Sequence, residues 1–335
     1  MVPLTGRRQF LTTGALGLFA LGAEGCSPPE AGRRPAAPGD VNAWSFTDDA
    51  RRTVRLGSRP RRIAAYATAA AALWDYGIRP LGVYGSLRKQ GGGKDVTLLG
   101  EVDLRRVATV GGTWGQISVE RLGRLRPDLV VDPLQYGAHQ LDQSSLELTG
   151  KLAPVVSIEV YGAKVDTAVR RYADLAACLG ADFDTHELRS GKAAYTAARD
   201  RVRRAITAKP GLRVLFASAD HDGIRVSKPG FPSIADFEGL GLDVVKPTGG
   251  STLYMEKLSW EVADRYPADL ILLDVRASSL QPADLRSNDL WTSLPAVRAG
   301  QLGTWHPEPI LSHHGMAKVY DTLTATLTAA RPHIT

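Results

Sequence analysis

The chain is short of the motifs that declare an enzyme. It has no Gly-x-Ser-x-Gly elbow and no His-Glu-x-x-His pair. Gly111-Gly-Thr-Trp-Gly is glycine-rich but has neither the spacing nor the lysine of a phosphate loop. No catalytic activity is expected on these grounds. Charge of one sign is not concentrated either. The net charge of +6 is modest for 335 residues, and the densest basic sites are pairs such as Arg105-Arg106, Arg170-Arg171 and Arg203-Arg204. Without a basic arm or a nucleic-acid motif these read as solvated helix faces, and no nucleic-acid partner is expected. An apolar run at residues 11–21 is too short to cross a bilayer, which takes ~20 apolar residues. Cysteine is nearly missing: there are two, Cys26 and Cys178.

What is present begins with Thr5-Gly6-Arg7-Arg8-Gln9-Phe10-Leu11, a twin-arginine pattern leading into that short apolar run. The combination fits an export signal. Ala23-Glu24-Gly25-Cys26 then places small residues before a cysteine, as cleavage and lipidation of Cys26 would require. A lipid on Cys26 removes it from disulfide chemistry. Cys178 sits in an amphipathic helical pattern and reads as a small core residue rather than a reactive thiol. Residues 27–42, rich in Pro, Ala and Gly, cannot bury enough surface to offset their ordering entropy, and read as a tether.

Beyond the tether, short apolar strands alternate with helices. Two short runs flank Asp48-Asp49-Ala50 as a hairpin. A strand at 62–66, an Ala-rich helix at 68–76 closed by Gly77 and a strand at 80–84 follow. Helix 119–125, strand 128–132, helix 141–150 and strand 154–158 repeat the alternation, which implies a mostly parallel sheet covered on both faces. Residues 163–209 hold no strand candidate. Apolar positions recur there at helical spacing, with a break at Gly180 and 182–184. Alternation resumes with strand 213–217, a helix at 233–239 capped by Gly239, a short helix at 259–265, strand 269–274 and a terminal helix at 312–330. The chain thus divides into a signal peptide at 1–26, a tether at 27–42, an N-terminal α/β lobe at 43–162, a connecting helical region at 163–209 and a C-terminal α/β lobe at 210–335. Two stretches echo each other, Ser118-Val-Glu120 and Ser259-Trp-Glu261, each followed by a Pro, an Asp and a buried strand.

Several stretches carry a resemblance: Phe46-Thr-Asp-Asp-Ala-Arg-Arg-Thr-Val-Arg-Leu, Ala72-Leu-Trp-Asp-Tyr-Gly-Ile-Arg-Pro-Leu-Gly-Val-Tyr-Gly, Ser118-Val-Glu-Arg-Leu-Gly-Arg-Leu-Arg-Pro-Asp-Leu-Val and Leu290-Trp-Thr-Ser-Leu-Pro-Ala-Val-Arg-Ala-Gly-Gln-Leu. In order and spacing they resemble the iron-siderophore and cobalamin class of ABC-importer binding proteins, and most of all its ferric-hydroxamate-binding members. The resemblance runs from about residue 45 to the C-terminus. It implies two Rossmann-like lobes joined by one long backbone helix, the class III periplasmic-binding-protein fold, with a shallow cleft and little hinge closure. It implies an extracytoplasmic, lipid-anchored monomer that hands a ferric siderophore to a permease and its ATPase, with Glu120 and Glu261 docking onto the permease. Haem, cobalamin and a free metal ion remain alternatives.

A ferric siderophore already satisfies its iron, so the protein needs no cofactor and no metal ligands of its own. It needs aromatic faces and hydrogen-bond donors or cations at strand ends. The candidates are Tyr84, Arg88, Trp114, Tyr136, Tyr254, Arg276 and Trp305. Tyr136 and Tyr254 fall at or near places where hydroxamate-binding members use an aromatic, whereas Trp114 lies near a place where they have an arginine. Trp74 and Trp291, inside apolar helical patterns, read as core anchors. His306, Glu308, His313 and His314 are the rival metal set, but His313 and His314 diverge by about 100° if they open a helix.

Overall fold

The computed structural model describes residues 43–89, 92–276 and 278–335. The expected signal peptide and tether, with Cys26, lie outside the described residues. The body opens with the hairpin β1 (Trp44–Thr47) and β2 (Thr53–Leu56), paired antiparallel around the turn at Asp48. Asp48 is buried and fixes this turn by accepting from the Arg52 backbone N–H at 2.8 Å and pairing with its guanidinium at 3.1 Å.

The first sheet combines β3 (Ile63–Tyr66), β4 (Gly82–Tyr84), β5 (Ala108–Thr109), β6 (Leu129–Gln135), β7 (Ala138–His139) and β8 (Val155–Glu159), in the order β5-β4-β3-β6. β8 pairs with β6 in parallel, and β7 folds back antiparallel on the end of β6. The helices α1 (Ala67–Asp75), α2 (Val96–Leu99), α3 (Val119–Leu125) and α4 (Gln143–Gly150) make the crossovers. Gly77 ends α1 as the sequence implies. At φ +85 it occupies the left-handed region, its N–H bonds to Trp74 O at 3.0 Å and Ile78 N–H to Leu73 O at 3.0 Å, which satisfies the last carbonyls of α1. Ser118 and Asp142 cap α3 and α4 by accepting from Arg121 and Ser145 N–H.

Two helices follow, α5 (Val165–Cys178) and α6 (His186–Thr207), with the break at Gly180 and residues 182–184 between them. Cys178 is partly buried against the core, and its carbonyl accepts from Trp44 Nε1 at 2.9 Å. The second sheet contains β9 (Arg213–Asp220), β10 (Gly223–Ser227), β11 (Asp243–Val244), β12 (Met255–Ser259), β13 (Leu270–Asp274) and β14 (Leu302–Trp305). Its order is β12-β10-β9-β13-β14, with β11 beside the start of β9. Here the expectation of a mostly parallel sheet needs qualification: β9-β10 and β10-β12 are antiparallel, so this sheet is mixed, with three parallel pairings and two antiparallel ones. Helices α7 (Pro232–Gly239), α8 (Asp289–Ser293), α9 (Pro295–Arg298) and α10 (His313–Ala329) complete this lobe. Two local readings are corrected. Gly239 is the last helical residue of α7, and it is Gly241, at φ +101, that takes the left-handed position. The helix expected at 259–265 is a single 3-10 turn, Trp260–Val262, because β12 occupies the residues before it.

The long helix α6, about 33 Å at ~1.5 Å per residue, starts beside the first lobe and ends in the second. α10 runs parallel to it. Its N-cap Ser312 donates to Asp75 of α1 at 2.5 Å, while at the far end Lys209 Nζ donates to Ala330 O at 2.7 Å. Arg201 pairs with Asp321 at 2.7 Å and the rings of Tyr195 and Tyr320 lie 5.7 Å apart. α6 is thus the long helix that joins the lobes, and α10 packs along its length.

Candidate functional site

Open α/β sheets leave a crevice beyond the carboxyl ends of their strands. Here the strand ends of both sheets face one hollow of about 530 Å³ between the lobes. The first lobe contributes Tyr66 at the end of β3, Ser86 and Arg88 after β4, Asp95 and Leu98, Trp114 after β5, Gln135 of β6 and Tyr161 after β8. The second contributes Phe231, Tyr254, Met255, Arg276, Ser278 and Glu308.

One wall is aromatic and crosses the boundary between lobes. The rings of Tyr136 and Tyr254 lie 5.9 Å apart, Tyr161 and Tyr254 5.9 Å, Tyr161 and Phe231 5.9 Å, and Phe231 and Tyr254 5.4 Å. Tyr136 OH donates to Gly230 O at 2.6 Å and Tyr161 OH to Pro307 O at 3.1 Å, so two hydroxyls of the first lobe are anchored on the second. Tyr136 holds a left-handed backbone, φ +51, which costs a non-glycine residue energy. Glu159 fixes that turn, accepting from the N–H groups of Tyr136 at 2.9 Å and Gly137 at 2.8 Å, and also from Tyr161 and Gly162. Burial raises the phenol pKa of Tyr136, Tyr161 and Tyr254, so all three hydroxyls stay protonated and can donate.

Trp114 lines the same hollow from a loop and is 58% exposed. Its Nε1–H donates to Gln140 Oε1 at 2.6 Å, and Gln140 is itself buried, with its N–H on Asp132 Oδ2 at 3.0 Å. The Asp142 N–H bonds to Gly115 O at 2.9 Å, docking the loop a second time. An exposed indole held by its polar edge presents its face to whatever enters. Ser86, Gln135 and Ser278 line the same hollow, and no side-chain hydrogen bond within the described residues engages them.

The floor is ionic. Arg276 NH1 bonds to Glu308 Oε1 at 2.8 Å, NH2 to Asp274 Oδ2 at 2.8 Å, and Nε to both Asp274 oxygens at 3.0 and 3.2 Å. These carboxylates raise the guanidinium pKa above its usual range against the opposing effect of burial. Tyr66 OH donates to the other Glu308 oxygen at 3.2 Å.

Of the seven residues singled out in the sequence, Arg88, Trp114, Tyr254 and Arg276 line the hollow, and Tyr136 packs against Tyr254 at a tilt. Two do not reach it. Tyr84 is 1% exposed and spends its hydroxyl on Asp132 Oδ1 at 2.8 Å, which places it in the core beneath Tyr66. Trp305 is 6% exposed, its Nε1–H donates to Ala217 O at 3.2 Å, and its ring supports Phe231 from behind at 5.2 Å. Sequence reasoning missed Tyr66, Tyr161 and Phe231, and it named Glu308 only in the rival metal set. The strand-end rule would have found Tyr66 and Tyr161, which close β3 and follow β8. Trp291 is a fully buried anchor as expected, and Trp74 is half-buried beneath the Arg79 guanidinium, 4.4 Å from its ring centre.

No cluster of three His, Cys, Asp or Glu side chains suited to a metal occurs among the described residues. His306 has both ring nitrogens engaged, Nδ1 accepting from Glu308 N–H at 2.9 Å and Nε2 bonding to Thr97 Oγ1 at 3.0 Å. His313 bonds to Tyr76 OH at 3.1 Å, beside α1 and α6. Glu120 and Glu261 are both exposed, each in the first turn of a helical segment on a different lobe, and Glu120 pairs with Arg124.

Two lobes facing each other across an aromatic hollow define a solute-binding protein, and the chain belongs to the periplasmic binding protein family, whose model matches residues 89–309. Among solved structures it is similar to DesE, a ferric-siderophore receptor protein from Streptomyces coelicolor, with 36% identity and a TM-score of 0.82, covering 86% of this chain and 99% of that one. FhuD from Vibrio cholerae bound to Fe3+–Desferal (18% identity, TM-score 0.59, 81% of this chain and 99% of that one) shares the fold. So does SirA from Staphylococcus aureus complexed with staphyloferrin B (18%, 0.60, 84% and 98%). No curated protein matches the chain.

Proposed function

We propose that this chain is the extracytoplasmic binding component of an ABC importer, that it captures an iron(III)–siderophore complex in the interlobe hollow, and that it delivers the complex to a membrane permease. The observation that carries this reading is the hollow itself. Aromatic faces and unengaged Ser and Gln side chains surround it, and of its two acidic lining residues Glu308 is tied to Arg276 while Asp95 caps a helix. Such a site suits a chelate that has already wrapped its iron. Similarity to DesE over nearly all of that chain supports the same class of cargo. The contact residues are Arg88, Trp114, Tyr136, Tyr254 and Arg276, joined by Tyr66, Tyr161 and Phe231. Glu120 and Glu261 dock onto basic residues of the permease, and carboxylates on separate lobes would fix its register. The protein acts as a monomer, exported by its twin-arginine signal and held at the outer face of the membrane through lipid on Cys26. Among the described residues no helix is long and apolar enough to cross a membrane.

Tryptophan quenching against a panel of ferric siderophores, with haem, cobalamin, zinc and manganese included, tests the cargo. Saturable quenching by one iron chelate, abolished in Trp114→Phe but with binding retained by calorimetry, is expected. Saturation by haem, cobalamin or a bare metal alone would refute it. For the anchor, mass spectrometry of the mature N-terminus should find a diacylglyceryl Cys26. A disulfide between Cys26 and Cys178 there would overturn lipidation, because thioether formation consumes that sulfur.

A further inference from the structure

We infer that the cleft reads net charge, taking ferric chelates that are neutral or cationic and rejecting polyanionic ones. This rests on the siderophore reading above and narrows it.

The whole chain is basic, at +6, yet its cleft is not. Arg276 looks in the sequence like the cation for an oxygen-rich ligand. In the structure its guanidinium is shared between Asp274 and Glu308, so one positive charge faces two negative ones. Asp95 lines the same hollow and is only 4% exposed. Its Oδ1 caps α2, accepting from the Thr97 N–H at 3.0 Å and from the Thr97 hydroxyl. No donor among the described residues reaches its Oδ2. Against Asp95, Asp274 and Glu308 stand Arg276 and, at the exposed rim, Arg88, whose NH1 donates to Gly92 O at 2.7 Å and which has no carboxylate partner. Asp95 and Glu308 on the lining match Arg88 and Arg276 in number, and Asp274, buried behind Arg276 and paired with it, tips the balance to one excess negative charge. Glu159, behind Tyr136 and Tyr254, adds to it.

The chemistry of iron chelates turns this into selectivity. Each hydroxamate carries one negative charge, so three balance iron(III). Each catecholate carries two, so three leave the complex triply anionic. A polyanion brought against buried carboxylates is repelled strongly, because charges in a partly desolvated cleft are poorly screened. An ammonium group pendant on a neutral chelate meets the opposite situation. Among the described residues Asp95 Oδ2 has no partner, and Glu308 Oε2 accepts only from Tyr66 OH. Both are acceptors for a charge-assisted bond.

The test uses the mature protein and three iron complexes: a linear ferric trihydroxamate with a free terminal amine, the same chelate with that amine acetylated, and a ferric tricatecholate. Dissociation constants come from competition titration at low and high salt. The expected order is amine tightest, the acetylated form weaker by about tenfold, and the tricatecholate weakest, with the gap closing as salt rises. Asp95→Asn, which retains a good helix cap, and Glu308→Gln should each reduce the ratio of amine to acetyl affinity to about threefold or less. A wild-type ratio near unity, or a tricatecholate that binds as tightly as the amine, overturns the inference while leaving siderophore binding intact. Binding of none of the three overturns both.

Discussion

Trp114→Ala tests whether the exposed indole is a ligand platform. A Trp side chain offers roughly 200 Å², and at 58% exposure more than half of it is open in the empty protein. A bound chelate that covers half of the open part removes about 60 Å² from water. At ~25 cal/mol per Å² that is about 1.5 kcal/mol, or roughly tenfold in Kd. The same change costs little stability, because the ring already faces solvent and loses one hydrogen bond to Gln140. Calorimetric titration of the cognate iron chelate is the assay, since the substitution also removes the fluorescent reporter. Thermal melting run alongside separates affinity from folding. A Kd within twofold of wild type, with the Tm unchanged, would refute the assignment. Gln140→Leu offers an independent check: it leaves the indole in place but releases its edge, and should weaken binding by part of the same amount.

Other outcomes follow from the same geometry. Arg276→Met leaves Asp274 buried with its charge uncompensated and should cost about 3 kcal/mol, lowering the Tm by several degrees; a shift under about 1 °C would contradict the ion-pair description of the floor. Burial holds the imidazole pKa of His306 below its ordinary value, and burial also lowers that of His313. The unfolded chain then takes up protons that the native state refuses, so stability falls as pH drops through about 6.5. Urea midpoints at pH 7.5 and 5.5 should show this, His306→Gln should flatten the difference, and greater stability at the lower pH would refute it. Glu120→Lys with Glu261→Lys should abolish cellular uptake of the iron chelate and leave its Kd unchanged; normal uptake by the double variant would remove these residues from docking.

The fold was legible where local chemistry is strong. Gly77, the Asp48 turn and the break at Gly180 are punctuation that only a few conformations satisfy. The buried strands after Pro80 and Asp128 are short apolar runs of the kind a covered parallel sheet requires. β12 was not legible, because Met255-Glu-Lys-Leu-Ser alternates over few residues and depends on β10 for pairing. The site was half legible. Loops after strand ends gave Arg88, Trp114 and Arg276, but sequence position does not say which way an aromatic turns. Tyr66 and Tyr84 are register partners on neighbouring strands. Asp132, in the middle of β6, draws the Tyr84 hydroxyl inward, while Tyr66 is left to bond Glu308. Likewise the charge of Arg276 could be read from the sequence, and its neutralisation could not. Glu308 arrives from more than thirty residues downstream and carries no local mark of its role.

The paired spans α6 and α10 have a consequence for traffic at the membrane. Two parallel struts, pinned at Asp75 and again at Ala330, should hold the lobes at one separation whether or not cargo is present. A vacant carrier then shows the importer the same outer profile as a filled one and competes for the same seat. Raising the amount of carrier above the supply of cargo should therefore slow uptake instead of speeding it.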